Sequence, residues 1–101
     1  MLSLKGQLDA YTFPILQRSL EDLRSQGTSR VVLDGSALDY ISSAGLGVLK
    51  KMSREFRAEG GDLRMAALTE KINKIMNLLG FSQVIQVFGT NEEASASFAE
   101  S

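Results

Sequence analysis

The stretch RVVLDGSALDYISSAGLG (Arg30–Gly47) carries the reading of the fold. It begins with Arg30-Val31-Val32-Leu33-Asp34, a compact β-branched run bounded by turn formers, which is the pattern of a strand covered on both faces in a mostly parallel sheet. Gly35–Asp39 reads as a loop. Beyond it, Leu49, Met52 and Phe56 form an apolar stripe opposite Lys50, Lys51, Arg54 and Arg57. This predicts a helix from about Ser43 to Glu59, stopped by Gly60-Gly61.

The same alternation extends in both directions. Towards the N-terminus, Met1–Lys5 alternates Leu2 and Leu4 with Ser3 and Lys5, as in a short strand ended by Gly6. Phe13, Leu16, Leu20 and Leu23 then recur at helical spacing, with Thr12 as N-cap, Pro14 in the first turn and Gly27 at the exit. Towards the C-terminus, Leu63–Ala67 reads as a third strand. Ile72, Ile75, Met76 and Leu79 mark a third helix between the cap Thr69 and the stop Gly80, and Val84–Phe88 reads as a fourth strand. Thr90-Asn91-Glu92-Glu93 is a capping box that opens a short helix to about Phe98. The order β-α-β-α-β-α-β-α implies one α/β domain over residues 1–101, with a mostly parallel sheet of four or slightly more strands and about four helices.

At 101 residues, 44% hydrophobic and 23% charged, the chain suits one packed core and lacks the composition of a disordered segment. It contains no Cys, which removes disulfides, thiolate nucleophiles and sulfur-ligated metals, and no His, which removes the commonest general base and metal ligand. Carboxylate-only catalysis stays open. The net charge of -1 offers no general attraction to nucleic acid or anionic lipid. Neither a signal-peptide layout nor an apolar run of the ~18 residues needed for a membrane span is present, so a soluble protein of the cytoplasm is expected.

Tyr40–Gly47 is unusual because two glycines fall in the first turns of a predicted helix, where each is unfavourable by about 0.5–1 kcal/mol relative to Ala. Ala44, Gly45 and Gly47 would allow another backbone to come close, either a strand of the same domain or a partner. Ser42 and Ser43 are suited to N-capping. The same place also tolerates a phosphate, since a helix N-terminus presents free amides and the positive end of the dipole. Asp9 and Asp34 are read near strand C-termini, as solvated loop residues or as an acidic rim around Ser43. No base stands ready to activate a serine, and Gly45-Leu46-Gly47 continues into neither a Walker loop nor a GxGxxG loop.

These residues resemble the STAS domains of bacterial anti-sigma factor antagonists, the anti-anti-sigma factors. Gly6-Gln7-Leu8-Asp9 is similar to the family's Gly-Glu-Leu/Ile-Asp, and Tyr40–Gly47 to its aromatic-Met-Asp-Ser-Ser/Thr/Ala-Gly-Leu-Gly; Val31–Asp34 and Ile72–Phe81 add further likeness. The resemblance implies a binding module without a cofactor, not an enzyme. In its unphosphorylated form such a module binds an anti-sigma factor with serine kinase activity and so frees a sigma factor for transcription. The kinase then phosphorylates it, and a metal-dependent serine phosphatase resets it.

Carried over residue by residue, the phosphoacceptor falls on Ser43, and the partner surface on Asp9 with Ser42, Ser43, Ala44, Gly45, Leu46 and Gly47. Ser42 stands where the family usually has Asp, which makes it the rival acceptor. Family members also begin with one more strand, which is expected to be missing or shortened here and to leave a sheet edge open for pairing into a homodimer. A second reading from a different class is a STAS subunit, never phosphorylated, that assembles with itself or with a membrane-transport complex.

Overall fold

Val31, Val32 and Leu33 lie in a central strand of a four-stranded sheet, and all three are buried. The computed structural model describes residues 2–99; Met1, placed by the sequence in the first strand, lies outside them. The elements follow in the order β1 (Leu2–Leu8), α1 (Phe13–Ser25), β2 (Arg30–Ile41), α2 (Ser43–Ala58), β3 (Asp62–Ala66), α3 (Glu70–Leu78), β4 (Val87–Phe88) and α4 (Asn91–Ala99). The sheet order is β1-β2-β3-β4 and every pairing is parallel.

The alternation of side chains along each strand divides the core. Val31, Leu33, Leu63 and Met65 face the side covered by α1, α2 and α3, where Leu20, Leu49, Met52, Phe56 and Ile72 are fully buried. Val32 and Ala66 face the other side, which Ala94 and Phe98 of α4 cover. A strand covered on both faces needs apolar residues at successive positions, and Arg30–Asp34 has them.

Three local expectations are corrected. Gly35–Asp39 is not a loop: β2 runs on through it to Ile41 and pairs with β1 as far as Leu8. The register slips between Ser3 and Lys5 and again between Gly6 and Gln7, so that Leu2–Leu8 faces the longer run Leu33–Ile41. The turn-forming residues of β2 therefore occupy bulges. Gly6 accordingly does not end the first strand but sits within it at φ +70, beside the second slip. Finally, β4 is limited to Val87–Phe88, because the 3-10 turn Phe81–Gln83 draws the Val84 and Ile85 amides onto the Phe81 carbonyl.

Candidate functional site

Leu8 and Ile41 form the last rung between β1 and β2, so Asp9 and Ser42 leave the sheet side by side at its C-terminal edge. This is the edge where loops of a parallel α/β sheet gather. The junction is tied by the Ser42 amide, which donates to the Leu8 carbonyl at 2.9 Å.

Ser42 is extended (φ -92, ψ 167), and its hydroxyl accepts from the Gly45 amide at 3.2 Å, the third residue of the helix. This is N-cap geometry. Ser43 is therefore not the cap but the first helical residue. It is exposed, and among the described residues its hydroxyl has no hydrogen-bond partner. Ser42 is half-buried and its hydroxyl is occupied.

The glycines separate into two roles. A Cβ on Gly45 would stand 2.8 Å from the Leu8 carbonyl oxygen and 2.9 Å from Leu8 Cγ, so close packing of α2 on β1 requires glycine there. Gly47 is exposed, and a Cβ on it would meet nothing within 4 Å. Leu46 points into the core, whereas Ala44 is exposed beside Ser43.

Asp9 is an organiser of its own loop. Its Oδ1 accepts from the amides of Tyr11 at 2.9 Å and Thr12 at 3.1 Å. The Thr12 hydroxyl accepts from the Asp9 amide at 2.9 Å and donates to the Gln7 carbonyl at 2.8 Å. Thr12 precedes α1 with helical backbone angles and makes no side-chain cap, so the expected capping by Thr12 gives way to this turn closed by Asp9. Asp34 lies elsewhere, paired in mid-strand with Ser3 and Ala66, and forms no acidic rim around Ser43. Its carboxyl is held below the usual carboxylate range, chiefly by the Ser36 amide, which donates to Oδ1 at 2.9 Å.

Two aromatic residues frame the helix start: Tyr11, two residues beyond Asp9 and 90% exposed, and Tyr40, two residues before Ser42 and 43% exposed. Sequence periodicity missed Tyr11, because it sits in a turn where no stripe can be drawn. Exposed tyrosines beside a helix start suit a protein contact. A shallow groove of about 230 Å³ along the β1 edge, lined by Leu4, Leu8, Ile15 and Leu16 among others, lies beside this face and does not include Asp9 or Ser43. Among the described residues, no group of three or more His, Cys, Asp or Glu is placed to hold a metal, and no helix is long and apolar enough to cross a membrane.

Comparison with known proteins adds a family to this geometry. The STAS domain model matches residues 1–94. BtrV of Bordetella bronchiseptica is 33% identical over 95 residues, covering 94% of this chain and 82% of that protein. The anti-sigma-B factor antagonist of Bacillus subtilis is 27% identical over 92 residues, covering 90% and 83% respectively. Among solved structures, the anti-sigma factor antagonist SpoIIAA from Bacillus matches in its unphosphorylated form with a TM-score of 0.80, 19% identity and coverage of 98% and 86%. In its phosphorylated form it matches at 0.69, with 21% identity and coverage of 94% and 86%. At those identities SpoIIAA speaks for the fold alone.

Proposed function

The chain belongs to the STAS domain family, and from that membership we propose that it is an anti-sigma factor antagonist switched by phosphorylation of Ser43. In this reading the unphosphorylated protein binds an anti-sigma factor with serine kinase activity in the cytoplasm and so releases a sigma factor. The kinase then modifies Ser43 and the complex separates, and a serine phosphatase restores the free hydroxyl. The chain acts by binding, with no catalytic residue or cofactor of its own.

One observation carries the assignment to Ser43. Its hydroxyl is exposed and, among the described residues, unengaged at the first position of α2, while the rival Ser42 spends its hydroxyl on the cap. A phosphate on Ser43 would meet the free amides and positive dipole end of α2, so the fold tolerates it. It would also add about -1.5 to -2 charges in the middle of a contact surface, which turns attraction into repulsion towards an acidic or apolar partner. Asp9, Ala44 and Gly47 extend that surface around Ser43, while Gly45 and Leu46 hold α2 against the sheet beneath it. β1 is an outer strand of the described sheet, and any self-pairing would use it.

The test compares Ser43→Asp, Ser43→Ala and Ser42→Ala proteins for binding to the anti-sigma factor kinase of the native host. Ser43→Asp should lose binding with an unchanged melt, while the two alanine variants keep it. A Ser43→Asp protein that binds as wild type would refute the switch and favour a STAS subunit that is never phosphorylated.

A further inference from the structure

The outer face of α2 carries cations in line with Ser43, the half-buried Lys50 and the exposed Arg54. Lys50 and Arg54 stand seven and eleven residues beyond Ser43, close to two and three turns of helix, so the three share one face over about 16 Å. Gly47 lies on the same face, and Lys51 flanks it.

Neighbouring acids do not neutralise this ridge. Glu55 and Glu59 are turned towards α1, where Arg24 holds them at 3.3 and 2.7 Å. Asp62 is taken by Arg57 at 2.9 Å and Arg64 at 3.1 Å. Among the described residues no ion pair reaches Lys50, Lys51 or Arg54. The negative end of the helix dipole rewards cations only in the last turn, where Arg57 stands, and so does not account for Lys50 or Lys51. In a chain of net charge -1, this is a local basic surface set against the overall sign.

We propose that the ridge Lys50–Arg54 is a second docking contact for an acidic surface of the same protein partner that covers Ser43. This rests on the reading of the Ser43 face as the partner-binding surface. The ridge does not touch the switched hydroxyl, so it acts on encounter and orientation: its field draws an acidic patch to one side of α2 and sets the direction in which the partner lies over the helix start. Gly47, without a side chain between Ser43 and the cations, leaves the face continuous.

The test has two arms, both on the full chain: the first in its native host, the second with purified proteins. A photo-crosslinking amino acid is placed at exposed Ala44, beside Ser43, or at exposed Ala58, at the far end of the ridge, so that every ridge charge is kept. The two positions should trap one and the same protein, with an Asp/Glu-rich segment joined at Ala58. Association of that purified protein with Lys50→Gln/Arg54→Gln and Lys50→Glu/Arg54→Glu variants is then followed across salt concentrations. The charge-reversed variant should associate about ten-fold more slowly at low salt, the neutral variant by less, and both differences should fade at high salt. Capture at Ala44 without capture of the same protein at Ala58, or association rates unchanged by charge reversal, would overturn the ridge and leave the Ser43 switch standing. No capture at Ala44 would overturn the partner surface itself, and the ridge with it.

Discussion

Replacing Gly45 with alanine should destabilise the protein, whereas the same change at Gly47 should stabilise it, although both glycines lie in the first turns of α2. At Gly45 the new methyl would come to 2.8 Å from the Leu8 carbonyl oxygen and 2.9 Å from Leu8 Cγ. The obstructing oxygen is backbone and already accepts from Ser42, so it cannot swing away as a flexible side chain would. Relief requires α2 to lift from β1. Overpacking of this kind costs about 1–3 kcal/mol, against a helix-propensity gain of at most about 1 kcal/mol, for a net loss near 1–2 kcal/mol.

At Gly47 nothing among the described residues, the helix's own backbone apart, lies within 4 Å of the added methyl, and only the gain of about 0.5–1 kcal/mol remains. For a domain of this size each 1 kcal/mol moves Tm by about 4–8 °C. Thermal melts followed by circular dichroism should therefore show Gly45→Ala about 4–16 °C below wild type and Gly47→Ala a few degrees above. A Gly45→Ala protein melting at or above wild type would refute the close approach of α2 to β1, and with it the packing that holds the helix start against the end of β1.

Further predictions follow from the same neighbourhood and from the ion pairs beneath it. Ser42→Ala removes the cap of α2 and should lower stability in urea by about 1 kcal/mol while Ser43 stays exposed. Asp62→Ala leaves Arg57 and the largely buried Arg64 without their carboxylate and takes a bond from the Leu63 amide. Because Arg57 keeps access to water and Arg64 keeps Ser97 and the Phe98 ring, the loss measured in urea should fall below that of a fully broken buried pair, at about 1–3 kcal/mol. Asp34, with its carboxyl held below the usual carboxylate range chiefly by the Ser36 amide, contributes stability that is fully present above that range and is lost as pH falls through the lower value of the folded state. The stability gap between wild type and Asp34→Ala should thus be constant near neutral pH and narrow in acid.

The alternation of strand and helix was legible because burial imposes it directly: Val31–Leu33 must be apolar at successive positions, and Leu49, Met52 and Phe56 must share a helical stripe. The extent of β2 was not legible, because Gly35, Ser36 and Asp39 carry turn chemistry and only pairing with β1 through two register slips keeps them in the strand. The cap of α1 was assigned to Thr12 by residue type. The Asp9 turn that replaces it depends on where β1 ends, which local propensity does not specify. At the site, two adjacent serines both suited capping, and the division of labour between Ser42 and Ser43 was decided by the Ser42 amide bonding to Leu8 across the sheet. The two roles of Gly45 and Gly47 likewise depended on a strand distant in sequence.

The central claim is that Ser43 is the switched residue, and it is tested most directly by intact-mass and site-mapping measurements on protein purified from its native host, with and without phosphatase treatment. The reading predicts a singly phosphorylated species that phosphatase removes, with the phosphate on Ser43 and none in a Ser43→Ala protein. Phosphate on Ser42, phosphate persisting in Ser43→Ala, or no phosphorylated species under any growth condition would contradict it.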